Sequence, residues 1–521
     1  MAQSTTGVTV IIIPQPTVNG PLHIGHLSGP YLAADIAARA ARARGQRMLA
    51  LAGVDVHPNY VLTKAENLGV DVDEMVERFC TQIVTAFDRG RIGYDAFLDP
   101  RDEQFQRAVL SMLTELVENG TLPMEEVTLH RCSECGRTLH HSYVVGRCPN
   151  CGSGANGLSC EPCGGFTSSA TLIEASCARC GGAPEPMVAT VPVLRLENYR
   201  ERLIREWMQA ELPGRVRGVL ARYLHEPLPD YPVAYPTNWG IKGEGRLAGL
   251  RVDFPAELGF SYLYGPANAM RPQARGLSEW LEVWGEIDGL WHFNGIDNTF
   301  YFGILYPAIF AACGVPRPMM RGATVNELYL LEGRKFSTSR NHALWADEFL
   351  ESEDPELVRL YLSWDRPDRY ESNFTMAGYR TFCDIVVPML AGAPPAGQAL
   401  PPVLAEAELE RAELALNLAG FDSALAVRGL MSALAAGIGH DSVTLDALTG
   451  RDREPTEPAE PAPARHHEAP SLPPPVSAPV ESDGGQPPGA DHSQPAGAGH
   501  SQPPGTGHGQ PVGAGQPAAG D

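Results

Sequence analysis

The sequence predicts an α/β fold built on a doubly wound parallel sheet, and three local patterns at its start carry that expectation. Residues 8–13 (VTVIII) form a continuous β-branched run ended by Pro14, as a strand buried on both faces requires. Residues 27–44 are rich in Ala and Arg, with apolar residues at helical spacing and Gly45 as the stop. Residues 48–52 (MLALA) form a second apolar run. Strand, glycine-containing loop, helix and strand in that order make a βαβ unit, the start of a nucleotide-binding, Rossmann-type sheet.

The remaining elements follow in order. Residues 103–119 read as a helix closed by Gly120. Residues 132–180 hold eight of the eleven cysteines in four CxxC pairs; the segment is glycine-rich and is expected to be irregular, held by metal rather than by a core. A helix is expected over 196–211 and a mixed segment through Trp239. Strands are expected over 290–293 and 319–331, with an apolar helix at 300–313 between them. Residues 405–438 read as two helices broken near Gly420. From 452 to 521 the chain is mostly Pro, Gly, Ala, Ser, Gln and His, with a degenerate octapeptide that places histidines at 492, 500 and 508. Such a composition cannot bury enough apolar surface to offset chain entropy, so a disordered, solvated tail is expected.

The resulting division is 1–115 and 231–330 for the two halves of the sheet domain, 116–230 for a Cys-rich connective insertion and 331–395 for a loop and stem region. Residues 396–450 form a short helical stub and 451–521 the tail. Formal net charge is −22, of which the tail carries −7. An acidic body argues against a broad polyphosphate-gripping surface. The first residues lack the basic region and long apolar run of a signal peptide, and no apolar stretch is long enough to span a bilayer. A cytoplasmic monomer is expected.

The segment His23-Ile24-Gly25-His26 lies between the first strand and the helix after it. Two imidazoles at a helix start can donate to phosphate oxygens where the dipole favours anions, and Gly25 lets a nucleotide base approach the backbone. PQPTVNGPLHIGH resembles the HIGH signature of class I aminoacyl-tRNA synthetases, in its methionyl form. In the place of that family's KMSKS signature stands EGRKFSTSR. The resemblance implies catalytic roles for His23, His26 and Lys335, and ATP contacts from His23, Gly25, His26, Lys335, Ser337 and Ser339. Thr338 replaces the second lysine, which implies slower adenylation or another cation. LAGVDVHPNYVLTKAENLG and HFNGIDNTFYF are similar to two further family segments. They imply that Asp55 receives the α-ammonium of an amino acid, and that Gly295 and Asp297 hold the ATP ribose. Mg²⁺ is expected with the ATP.

The cysteine segment resembles the family's zinc-bearing insertion, with two structural Zn²⁺ ions. Nested pairing, Cys148/Cys151 with Cys160/Cys163 and Cys132/Cys135 with Cys177/Cys180, is preferred; sequential pairing stays open.

Two features depart from the family. Its methionine pocket is apolar and aromatic, whereas the matching positions here are Gln15, Thr17, Asp253, Phe260 and Phe302. An anionic wall suits a small or polar side chain, or a cation on one of the substrates. An aspartate in a solvated loop is the alternative for Asp253. The stretch 396–450 also contains one aromatic, Phe421, so anticodon recognition is not expected. The preferred function is therefore an ATP-dependent ligase that adenylates an amino acid and transfers it to a non-tRNA acceptor. An N-hydroxylated amine such as N6-hydroxylysine would suit, on a natural-product route to a hydrazine with a cupin as a separate partner. The alternatives are a methionine–tRNA ligase with a shortened anticodon region and a non-catalytic paralogue.

Overall fold

The computed structural model describes residues 7–336, 342–393 and 399–451. The tail expectation, and the expectations for Ser337, Thr338 and Ser339, lie outside the described residues. The central sheet has five parallel strands in the spatial order Met320–Asn326, Ile287–Gly295, Val8–Ile12, Met48–Gly53, Ala96–Leu98. The first strand is flanked on both sides, with Ile12 opposite both Leu51 and His292. Its residues Val10, Ile11 and Ile12 are fully buried. Alternate side chains feed two cores. Val8, Val10 and Ile12 meet the helices Glu103–Glu118 and Phe254–Met270. Ile11 and Ile13 meet the helices Leu32–Ala43 and Val72–Arg89. Strand order reverses beside Val8–Ile12, and ligands of such sheets bind at the carboxyl ends of the strands next to that switch point.

Four local expectations need correction. The helix after the first strand is not continuous: a short turn, Ile24–His26, leads into a wide turn, Leu27–Tyr31, and only then into Leu32–Ala43. Pro30 lacks an N–H and its ring clashes with the preceding turn. Arg366 Nε donates to the Gly29 carbonyl at 3.1 Å. The run 319–331 splits into two strands, Met320–Asn326 and Tyr329–Leu331. The second joins a separate sheet with Arg334–Lys335 and Ser372–Phe374. The insertion is more regular than its composition suggests. Met124–Cys132 pairs along its whole length with Pro184–Arg195, and His141–Arg147 pairs with Gly154–Gly157 and Ile173–Cys177. Its own buried cluster is nevertheless small: Cys132, Leu139, Tyr143, Val144, Leu172 and Cys177. Finally, a third helix, Val443–Thr449, follows Pro402–Ala415 and Ser423–Ala435.

A buried ion network anchors this last helix to the sheet domain. Arg359 donates to Asp35 Oδ2 at 2.7 Å and to the carbonyls of Ala447, Leu448 and Gly90. Asp35 also accepts from Arg39 and from the Gly93 amide. Arg359 is 0% exposed and Asp35 1%. Removing the carboxylate strands guanidinium charge in a closed site. Asp35→Ala is expected to lower stability by about 3–5 kcal/mol, seen as a fall in the urea midpoint; an unchanged midpoint contradicts the anchoring role.

Candidate active site

His23 and His26 cap each other's backbone at the carboxyl end of the first strand. The His26 amide donates to His23 Nδ1 at 3.3 Å and the His23 amide donates to His26 Nδ1 at 3.2 Å. A neutral imidazole that accepts at Nδ1 carries its proton on Nε2. Both rings therefore present an Nε2–H donor away from their own backbone. They stack on each other with centroids 3.7 Å apart, and His23 stacks on Phe336 at 4.3 Å. Burial, with a further push from His26, holds the His23 imidazole down to about 2. Burial holds His26 down to about 4, although its ring is exposed where the cleft opens. Gly25 has no room for a side chain, because a Cβ would come within 3.0 Å of His23 Nδ1 and of the Phe336 ring.

The chain beyond Phe336 returns to the same loop. Ile24 N–H donates to the Leu344 carbonyl at 3.0 Å, and Ala346 N–H donates to the Leu22 carbonyl at 2.8 Å. The Arg334–Lys335 strand is thus held beside the two histidines. Lys335 Nζ lies 2.6 Å from Glu161, the residue after Cys160 in the insertion. Across the switch point, the Ile287–Gly295 strand ends at Gly295, where a Cβ would come within 2.5 Å of Asp297 Oδ1. Burial first, and then the Glu161 charge, raise the Asp297 carboxyl to about 6. The insertion packs on this segment. Phe166 stacks on Phe300 at 4.4 Å, Arg222 donates to the Cys163 carbonyl at 2.6 Å, and Gly164 has φ +64° with a Cβ position only 2.9 Å from the Ile296 carbonyl oxygen.

The other half of the cleft starts where strands one and two extend together. Thr17 and Asp55 form a parallel bridge, and the Asp55 N–H donates to the Pro16 carbonyl at 2.9 Å. Asp55 is buried, and one of its oxygens has no partner. Burial, then Glu257 and then Asp253, raise its carboxyl well above the usual range. Asp253 is buried rather than solvated. It faces His141 Nε2 at 2.5 Å and accepts from the Tyr231 hydroxyl at 2.7 Å. Gln15 is buried with neither amide atom partnered. Phe302 is fully buried and stacks on His292 at 5.7 Å. Phe260 is fully buried in the core shared with Val8, Val10 and Ile12.

Sequence reasoning missed Glu161, His57, His141, Tyr231, Glu257, His292 and Tyr301. Glu257 had a legible signal: it stands four residues after Asp253, on the same helical face. His57, His292 and Tyr301 lie inside the segments quoted for Asp55 and for Gly295 and Asp297; Glu161, His141 and Tyr231 meet their partners through long-range packing and had no such signal.

The eight insertion cysteines gather in two nested groups, Cys132/Cys135/Cys177/Cys180 and Cys148/Cys151/Cys160/Cys163, with all sulfurs of a group within 4.8 Å of one another. The closest pairs lie 3.3–3.8 Å apart. Tetrahedral thiolates at about 2.3 Å from Zn²⁺ stand about 3.8 Å apart, so each group is sized to hold one such ion.

The family described as tRNA synthetases class I (M) matches residues 9–384. A methionine–tRNA ligase of Pyrococcus furiosus is 30% identical over 384 residues, covering 70% of this chain and 52% of that protein. One from Dehalococcoides mccartyi is 31% identical over 368 residues, covering 69% and 65%. The chain thus spans about half to two thirds of the length of these curated relatives. Among solved structures, Mycobacterium tuberculosis methionyl-tRNA synthetase in complex with methionyl-adenylate superposes with a TM-score of 0.61 at 16% identity, over 82% of each chain. The sheet order, the paired histidines at its switch point and the family match agree: the chain belongs to the class I tRNA synthetases of the M type.

Proposed function

We propose that the chain adenylates an amino acid with ATP and passes the aminoacyl group to an acceptor. The observation that carries this reading is the pair of neutral imidazoles, each with Nε2–H free of its own backbone, docked beside the Lys335 strand at the switch point. A carboxylate oxygen of the amino acid attacks the α-phosphorus in line, and the bond to pyrophosphate breaks. His23, His26 and Lys335 donate to the oxygens on which charge builds; Lys335 must leave Glu161 to do so. Asp55 holds the α-ammonium, Asp297 and the Gly295 turn hold the ribose, and Mg²⁺ accompanies the triphosphate. An acceptor oxygen then attacks the carbonyl carbon and AMP departs. Retention of this machinery supports an enzyme over a non-catalytic paralogue.

The relatives are named methionine–tRNA ligases, which supports tRNA as the acceptor over the N-hydroxylated amine preferred from sequence. The small-molecule acceptor, with a separate cupin partner, stays as a second reading because the side-chain half of the cleft is acidic where a thioether needs apolar walls.

ATP–pyrophosphate exchange across the amino acids, followed by transfer to tRNA or to a hydroxylamine, tests both steps. Exchange is expected with one amino acid, and Lys335→Ala is expected to slow it by about 100-fold. Absence of exchange with every amino acid overturns the proposal. Charging of tRNA supports the first acceptor, and product only with the hydroxylamine supports the second.

Two zinc ions, one in each cysteine group, are proposed to hold the insertion together, with no open position for chemistry. Elemental analysis should find about two Zn²⁺ per chain, falling to about one in Cys177→Ser. A wild-type chain purified without chelator that binds no zinc on titration contradicts this.

A further inference from the structure

The side-chain half of the amino-acid site holds three buried carboxylates, Asp55, Asp253 and Glu257, which are 3%, 3% and 1% exposed. Asp253 sits at the N-cap of helix Phe254–Met270 yet makes no capping bond. Its oxygens turn instead to His141 and Tyr231. Glu257, one turn on, is held by His57 Nδ1 at 2.8 Å. Neither carboxylate is therefore accounted for by the helix end. Among the described residues, no lysine or arginine pairs with any of the three. The charges that bear on Asp55 are Glu257 and Asp253, both of its own sign. The imidazoles of His57 and His141 are the only side chains of basic type that the described residues place against Glu257 and Asp253.

Unpartnered polar atoms surround the same space. Gln15, 9% exposed, has both amide atoms free, and Tyr301 Oη, His292 Nδ1 and one Asp55 oxygen also lack partners. Gln15 lies against Gly53, two residues before Asp55. Tyr306 feels the charges of both Asp55 and Asp253, and Tyr301 that of Asp253. His292 lies against Phe302, Tyr262 and Tyr306, with centroids 5.7–6.4 Å apart. Buried polar groups are completed by protein, ordered water, an ion or a ligand. An α-ammonium answers one carboxylate. A thioether offers the others neither charge nor a donor. A side-chain cation offers both, and its N–H groups match the acceptors on Gln15 and Tyr301.

Resting on the adenylation reading above, we propose that the amino acid activated here carries a cationic side chain, of the lysine, ornithine or arginine class, and that Asp253 and Glu257 select it. The test is pyrophosphate exchange with lysine, ornithine, 2,4-diaminobutyrate and arginine against methionine, norleucine, glutamine and glycine. Norleucine is the informative control, being close to lysine in shape without its ammonium. One basic amino acid is expected to lead every neutral one by about 100-fold or more in kcat/KM. Asp253→Asn and Glu257→Gln are each expected to raise KM for that amino acid at least about tenfold, to narrow its lead over norleucine, and to leave KM for ATP in place. Retained ATP binding shows that the variants fold. A lead by methionine or any other neutral amino acid overturns the specificity proposal and leaves adenylation standing. No exchange with any amino acid overturns both.

Discussion

The cleft depends on how the chain satisfies its backbone amides as it leaves the first strand. The first amides of the Ile24–His26 turn have no partner within the helix and need partners from elsewhere. The two histidines supply them from their own Nδ1 atoms. One local exchange therefore does three things. It closes the helix start, it fixes the tautomer of both rings, and it leaves two Nε2–H donors for an incoming anion. Burial keeps both rings neutral before ligand arrives, so they act as oriented donors rather than as fixed charges. Phosphate oxygens brought close would favour protonation, and the field would strengthen as negative charge accumulates.

The insertion takes part in this site rather than sitting apart from it. Glu161 reaches Lys335 from between two cysteines of the second group. Gly164 lies against Ile296, and Arg222 ties the knuckle to the helix Gly214–Arg222. The small cluster under the knuckles cannot order them alone. The Gly295–Asp297 segment and Lys335 therefore both lie in contact with the second cysteine group and its flanking residues. The Lys335–Glu161 pair itself is exposed and weak, which lets the lysine exchange one anionic partner for another.

The sheet was legible because a doubly buried strand has to read as an uninterrupted β-branched run, and Val8–Ile12 does. The two cysteine groups were legible because a tetrahedral ion imposes CxxC spacing. The break at Leu27–Tyr31 had a signal in Pro30, but the alanine-rich periodicity that follows it outweighed it. The helix Val443–Thr449 is too short to show a period, and its position depends on Arg359, distant in sequence. The strands of the insertion are hard to read because their pairing partners are separated by the knuckles. Thr17 and Asp55 stand beside recognisable signatures in the sequence, and their roles in the site are proposals. The contacts of His141 and Tyr231 with Asp253 were not legible, since separate elements bring them together and no local pattern records it.

That difference in legibility is itself structural. The half of the cleft proposed to hold ATP is built from short contiguous segments, the loop through His23–His26, the turn at Gly295–Asp297 and the strand Arg334–Lys335. The first two have steric reasons to stay as they are, because added atoms at Gly25 or Gly295 would press on the groups beside them. The side-chain half is assembled from Gln15 and Thr17 on one loop, His57 on another, His141 from the insertion, Tyr231 from a short edge strand, and Asp253 and Glu257 from a helix start. Side chains gathered from so many elements can be exchanged without disturbing the sheet. A family relationship carried by the first half therefore constrains the use of ATP more tightly than it constrains which amino acid is used. The buried carboxylates lie on the side of the cleft where the fold permits divergence.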